Sequence, residues 1–444
     1  MESVIYKKYK EFGLEANIRA LPGIDGLKPV ERRILISAYQ IARNKFVKSA
    51  RLTGYVMGHY HPHSEAYETV VQLVQRGFLE GQGNWGSIYG IEPLKAAAQR
   101  YTEVKMSPWT ERLALELVKY VPWHAPEQLD DEPKYLPTMF PFCLFGTKLV
   151  TGIGFGYRTL IPKYKLKDLW QRLRYLLGLR RKIIIKPDLD CEVLSSNEEC
   201  EGLLTTGSGR LTFRGLYDVD VDNYRVVIKS WEPNRRFESI LNRALGQELS
   251  TMAVGFRDES SGNQTRVVLE VLRTRGKSRI FHDMLEKIEK ALTFSVTFQI
   301  VVVDNERIRT VSVDEMLLQC FSRYSESKER MIRDLIQRVE DKISETELIL
   351  KIRPLLRPYL AKSTPIKQIV SEISSKLNEN STRVLELLTK YSVRKLLESH
   401  LDVGKLKEER ENLNTKLQNL PEEISKDYES ILKSTTLETS SKAW

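Results

Sequence analysis

Apolar residues recur along this chain with two periods: steps of three and four near its start and beyond residue 315, and alternation through much of 180–310. Residues 1–18 read as a helical arm. Pro29 fits a helix start, and Ile34, Leu35, Ala38, Ile41 and Ala42 then share one face. Two short helices follow over Ser49–Gly58 and Ser64–Gly77, the second with Tyr67, Val70, Val71 and Val74 as its core stripe. Lys95–Arg100 favours helix, because alanine and long straight side chains lose little freedom there, and Thr102–Met106 alternates like a strand.

Leu166–Leu177 reads as a basic amphipathic helix with Trp170, Arg172, Arg174 and Tyr175, stopped by Gly178. Strand-like runs follow at Arg210–Tyr217, Tyr224–Lys229 and Leu292–Val303. Then Ile332, Ile336, Val339, Ile343, Thr346 and Leu350 take the a/d spacing of a coiled coil, ended by Pro354 and Pro358. A helical patch spans about 366–401, and Leu406, Arg410, Leu413, Leu417 and Leu420 repeat the spacing, so a second arm can return antiparallel. Residues 422–444 are polar and are expected to fray.

The 444 residues suggest two to four domains. Lys plus Arg number 69 against 59 Asp plus Glu, a net charge of +10 that favours a polyanionic partner without excluding a merely basic protein. Cys143, Cys191, Cys200 and Cys320 form no C-x-x-C pair, which argues against a zinc site, and their sparseness fits a reducing compartment. No apolar run could span a bilayer and the N-terminus lacks a secretory pattern, so no membrane association and a cytoplasmic location are expected.

Candidate chemistry centres on Ala96-Ala97-Ala98-Gln99-Arg100-Tyr101-Thr102-Glu103. A free tyrosine, with a pKa of about 10, is a poor nucleophile at neutral pH and needs a neighbouring cation, base or metal. Arg100 is adjacent and keeps its charge, although a buried tyrosine beside a surface arginine is the commoner meaning of such a pair. Three histidines lie within Gly58-His59-Tyr60-His61-Pro62-His63, too close together, and with Pro62 between them, for tetrahedral ligation by this segment alone. Gly81–Ser87 is glycine-rich but lacks the Gly-Lys-Ser/Thr ending of a nucleotide loop; its glycines allow positive φ and close backbone approach. Glycines flank Ile153, which reads either as a core residue in a tight turn or as a wedge between base steps. Asp218-Val219-Asp220-Val221-Asp222 could present carboxylates on one face, but the following Asn223-Tyr224 makes a strand edge reaching a turn the better reading.

Arg19-Ala20-Leu21-Pro22, Asp25–Arg33, Tyr60-His61-Pro62-His63, Gly81–Ser87 and Ala96–Glu103, in that order and spacing, resemble the DNA breakage-reunion subunit of type IIA topoisomerases, the family of gyrase A, topoisomerase IV A and phage medium subunits. Pro137–Pro141 and Gly152–Pro162 extend the likeness. The resemblance implies an α+β multidomain fold: a winged-helix breakage-reunion domain with its N-terminal arm over 1–155, an α/β tower over 156–314, a long antiparallel coiled coil with a helical dimerisation gate over 315–432, and a polar tail over 433–444. It implies that Tyr101, assisted by Arg100, attacks a DNA phosphodiester, that Arg19, Lys28, Arg32, Arg33, His61 and His63 contact DNA, and that Ile153 intercalates. Arg210 and Arg214 either touch an outer duplex or make a solvated strand face.

One tyrosine per chain cuts one strand, so cutting a duplex implies a homodimer. The resemblance also implies Mg²⁺ and ATP, yet the sequence has no carboxylate cluster of the family's metal site and no ATPase motif. Both are expected on a gyrase B-like partner, giving a heterotetramer that passes one duplex through another. The rival reading is a DNA-binding coiled-coil scaffold of the same fold without the chemistry. Only Ser64-Glu65-Ala66 separates the histidine motif from Tyr67-Glu68-Thr69, shorter than in the family, so quinolone sensitivity does not carry over. That compression and the short C-terminus suggest a phage or mobile-element source, and no β-propeller repeats follow, so efficient negative supercoiling is not expected.

Overall fold

In the computed structural model of this chain, Pro29 opens a helix, as its fixed φ and missing amide donor favour. The structure describes residues 2–62, 66–92, 94–125, 129–233, 235–261, 264–359, 364–391, 396 and 402–441. They divide into two compact units, one built from Met1–Tyr324 with Asp427–Trp444 and the other from Ser325–Lys426. The architecture is mixed α and β, with several open sheets and one 44-residue helix.

In the first unit, α1 (Glu2–Ala20) precedes α2 (Pro29–Ile41), which buries Ile34, Leu35 and Ala38. Helices α3 (Ser49–His59) and α4 (Tyr67–Gln75) pack with α2. Beside them, β1 (Val47–Lys48), β3 (Glu103–Met106) and β2 (Leu79–Gln82) form an antiparallel sheet in that order, completing a winged-helix arrangement. Alternation along β3 buries Val104 and Met106, while Glu103 and Lys105 pair across the strands with Lys48 (2.8 Å) and Glu80 (2.6 Å).

Two expectations change here. The helix expected from Ser64 begins at Tyr67 among the described residues. Lys95–Arg100 is not helical: it runs extended into a turn. Its backbone bonds go to other elements, Ala97 N to Asn84 O (2.9 Å) and Ala50 N to Gln99 O (3.2 Å). A short alanine run has a weak helix preference, and these tertiary bonds outweigh it.

After α5 (Pro108–Thr110), β4 (Trp123–His124) pairs with β5 (Glu132–Pro133). The hairpin β6 (Val150–Ile153) and β7 (Arg158–Ile161) continues through β14 (Thr293–Gln299) and β9 (Ser208–Gly215) to β8 (Cys191–Val193), one five-stranded sheet. Strand pairing therefore runs across the boundary expected at 155/156. On β9, Leu211 and Phe213 point into the core, and Arg210, Thr212 and Arg214 alternate with them. Arg214 is held by Glu192 (2.7 Å) and Glu289.

Helix α6 (Leu166–Leu176) buries Arg172, which bonds Asp314 (2.7 Å) and Glu201 (3.1 Å). Glu201 belongs to α7 (Asn197–Thr206). A second antiparallel sheet, β10 (Tyr217–Asp220), β11 (Arg225–Ile228), β13 (Val267–Val271) and β12 (Val254–Asp258), carries α8 (Phe237–Ser250) and α9 (Lys277–Leu292). Val226, Ile228, Leu269, Phe237, Phe281 and Ile288 belong to their shared core. Strand β10 is an edge that turns at 221–224; Asp218 pairs Lys229 (2.5 Å) and Asp220 caps Asn223 N (3.1 Å), as a strand-edge reading requires. The single strand expected over Leu292–Val303 is two, β14 and β15 (Val301–Asp304), the latter pairing with β16 (Arg307–Thr310).

Helix α10 (Val313–Leu356) starts in the first unit and continues in the second. Ile332, Val339, Ile343 and Thr346 are buried on it, but Leu350 is exposed and Leu348, Ile349 and Ile352 are buried instead. There the helix meets α11 (Ile366–Leu377) and α12 (Ser381–Lys390) in one core, so the two-helix seam gives way to a broader buried face. Returning helices Val403–Gln418 and Leu420–Ser441 run antiparallel to α10: Lys407 pairs Glu347 (2.9 Å) and Tyr324 donates to Asp427 (2.9 Å). Leu406, Arg410, Leu413, Leu417 and Leu420 are all half-buried.

The fraying expected of 422–444 does not hold for Ile424, Tyr428 and Ile431, which are buried in the helix Leu420–Ser441. Tyr428 donates to Met139 O (2.7 Å) and stacks on Trp170. A few apolar anchors at helical spacing suffice to dock an otherwise polar segment. No helix among the described residues is long and apolar enough to cross a membrane.

Candidate active site

Tyr101 sits at the end of a tight turn, Tyr101 N donating to Ala98 O (2.8 Å). Both flanks of that turn are clamped. Ser49 N donates to Thr102 O (3.0 Å), Thr102 Oγ1 donates to Ser49 Oγ (2.8 Å), and Thr53 Oγ1 donates to Gln99 Oε1 (2.6 Å), fastening the segment to α3. From α4, the Tyr67 hydroxyl donates to Ala97 O and lies 2.9 Å from Thr102 Oγ1.

The glycine-rich loop closes the third side. Gly83, at φ +101°, leaves room where a Cβ would stand 3.1 Å from Tyr101 O. At Gly86, a Cβ would stand 2.2 Å from Leu94 O. Close approach, rather than phosphate cradling, is what these glycines serve.

Within this rigid frame the Tyr101 side chain is 63% exposed. The Arg100 guanidinium lies 4.7 Å from its ring centroid, and among the described residues the phenol makes no hydrogen bond. An immobile backbone carrying a free phenol beside a permanent cation suits nucleophilic attack on a phosphate. Arg51, one residue beyond Ala50 on α3, is an exposed cation that the sequence patterns did not single out.

A second cluster gathers around Glu132. Arg33 bonds it through both arms, Nε to Oε2 (2.6 Å) and Nη2 to Oε1 (2.9 Å), and its Nη1 lies 3.0 Å from His61 Nδ1. His124 Nε2 stands 3.3 Å from Glu132 Oε1. Glu132 and His124 carried no motif in the sequence; the β4–β5 pairing sets them opposite one another. No hydrogen bond or ion pair joins this cluster to Tyr101 among the described residues. The structure thus groups Arg33 with His61 and Arg100 with Tyr101, as two separate sets.

The other expected DNA contacts divide. Arg32 is spent on Asp25 (2.9 and 3.1 Å), a carboxylate that also accepts from Leu136 N (3.0 Å), so this arginine holds the turn before α2. Lys28 is half-buried at the α2 N-terminus, its amide donating to Glu31 (2.8 Å). Arg19 is exposed on the last turn of α1, 3.6 Å from Glu15. Ile153 is 80% exposed at the end of β6, which removes the core-residue reading. His63 lies outside the described residues.

Mg²⁺ needs several free oxygen ligands. Glu103, Glu80 and Glu132 are each held by a cation, and among the described residues no group of three or more His, Cys, Asp or Glu could hold a metal ion. This donor set does not fit Mg²⁺.

The family model for the A subunits of DNA gyrase and topoisomerase IV matches residues 19–441. The DNA gyrase A subunit of Borreliella burgdorferi is 28% identical over 472 residues, covering 97% of this chain and 55% of that protein. The DNA gyrase A subunit of Borrelia hermsii is 31% identical over 327 residues, covering 67% of this chain and 39% of the relative. The DNA topoisomerase 4 A subunit of Pseudomonas aeruginosa is 33% identical over 280 residues, covering 56% and 36%. The chain spans between a third and a little over half the length of these relatives.

Proposed function

Because this chain belongs to the family of DNA gyrase and topoisomerase IV A subunits, we propose that it breaks and rejoins DNA within a type IIA topoisomerase, with Tyr101 as the nucleophile. The observation that carries this is the exposed phenol beside Arg100 on a backbone clamped from three sides. The Tyr101 oxygen attacks phosphorus and the P–O3′ bond breaks. A 5′-phosphotyrosyl link forms, and the proton lost by the phenol ends on the 3′-hydroxyl. Bond energy is retained, so that hydroxyl attacks in reverse and reseals the strand. Arg100 stabilises the phenolate and the crowded phosphate. Arg19, Lys28, Arg33 and His61 contact the DNA backbone, while Arg32 supports the fold beneath them. Ile153 enters between base steps.

Two chains act as a homodimer to cut both strands. A gyrase B-like partner binds ATP and Mg²⁺ and completes a heterotetramer that relaxes or decatenates DNA. The deciding experiment is a covalent-adduct assay on that assembly, comparing the native chain with Tyr101→Phe. The adduct should vanish while DNA binding persists; an undiminished adduct would sink the assignment. A native chain that binds DNA and dimerises in the full assembly but never forms an adduct would establish the inactive scaffold instead.

A further inference from the structure

Strand pairing sets Arg158 directly across from Ile153 on the β6–β7 hairpin. Paired residues project from the same face of a two-stranded ribbon, with Cβ atoms roughly 5 Å apart. Toward the tip that face is open: Thr151, Ile153 and Arg158 are exposed, while Leu160, across from Thr151, packs against the sheet's core. The opposite face is locked down. A Cβ on Gly152 would stand 2.6 Å from Ala20 O, and buried Thr159 donates to Gln299 O (3.0 Å) while accepting from Val301 N (3.0 Å).

The hairpin tip is also buttressed by α1. Asn17 grips Phe155 on both sides, Phe155 N donating to Oδ1 (2.5 Å) and Nδ2 donating to Phe155 O (3.2 Å). Tyr9 and Phe12 meet the Phe155 ring edge-on, at 5.3 and 6.3 Å between centroids. A Cβ on Gly154 would fall 2.0 Å from Asn17 Oδ1, so a side chain there would push the Asn17 carboxamide off Phe155. This bracing stiffens the tip, as a wedge requires.

Arg158 itself is exposed and, among the described residues, makes no ion pair with a carboxylate. A cation left without a counter-ion beside an exposed aliphatic tip matches a DNA backbone flanking an opened step. The minor groove is about 6 Å wide, so a side chain roughly 5 Å to one side of an inserted residue reaches the groove wall, where the phosphates lie.

We infer that Ile153 and Arg158 form a two-part wedge, in which Ile153 opens the base step and Arg158 holds the phosphate beside it. This rests on reading Ile153 as the intercalating residue. Unstacking a step is unfavourable, and an ionic contact made only when the tip is seated helps to offset it.

The test uses the full chain and an end-labelled linear duplex with a central pyrimidine–purine step, reading affinity against salt by anisotropy and bend by energy transfer. Arg158→Ala should weaken binding about tenfold at low salt and reduce the log–log salt slope by about one per protomer. Arg158→Lys should restore most of the slope. Ile153→Ala should lose the bend and keep the slope. An Arg158→Ala chain with native affinity and slope, or with weakened binding at an unchanged slope, would overturn the phosphate contact and leave the wedge standing. An unbent complex with the native chain, or a native bend in Ile153→Ala, would remove the wedge and this proposal with it. Both side chains are exposed, so these variants should fold as the native chain does.

Discussion

Arg33 and Glu132, 99 positions apart in the chain, face each other as a two-armed ion pair at 2.6 and 2.9 Å, with side chains only 16% and 12% exposed. The pair joins α2 to β5 and leaves the third arginine nitrogen against His61 at 3.0 Å. Its consequence is positional: two bonds to one carboxylate hold the guanidinium in one orientation.

Replacing Glu132 with Ala should strand Arg33 without its counter-ion. Loss of one partner from a largely buried pair costs on the order of 3 kcal/mol. The thermal midpoint should fall, and DNA cleavage in the full assembly should fall further than DNA affinity does. Glu132→Gln, which keeps the shape and one acceptor, should recover much of the stability and less of the cleavage. Equal recovery of both would make Glu132 a purely structural residue.

Gly83→Ala tests the clamp on Tyr101. An alanine there would be held at φ +101° with its Cβ 3.1 Å from Tyr101 O. Backbone strain of about 1–3 kcal/mol is expected. It should surface as slower cleavage at near-native DNA affinity, measured in single-turnover cleavage. If stability drops while the cleavage rate of the folded fraction stays native, the loop does not position the tyrosine.

Tyr428→Ala tests the docking of the last described helix. It removes a fully buried ring that stacks on Trp170, and leaves Met139 O without its donor. A loss of about 3–5 kcal/mol is expected from the cavity and the orphaned carbonyl. Limited proteolysis should then cut first within 422–441. Unchanged cutting there would show that Ile424 and Ile431 hold the segment without it.

Much of this architecture was legible in the chain's local patterns. Pro29 and the apolar face behind it predicted α2, the alternation around Leu211 and Phe213 predicted β9, and the three-four stepping of Ile332, Val339 and Ile343 predicted a long helix with a buried seam. Each is a signal carried by a handful of neighbouring residues. The Lys95–Arg100 helix failed because a local preference was outvoted by bonds from Asn84 and Ala50, residues distant in the chain. Leu350 left the expected seam because α11 and α12 widen the buried face of α10, which spacing along one helix does not reveal.

The ordered motifs alone were enough to single out Tyr101, Arg100 and Ile153 and to name the family they resemble. Which partner each cation meets was decided only by folding. Arg32 and Arg33 are adjacent and chemically identical, yet one is held by Asp25 and the other by Glu132 and His61. Charge pairing depends on distance in space, and residues 99 positions apart acquire that distance only when α2 and the β4–β5 hairpin come together.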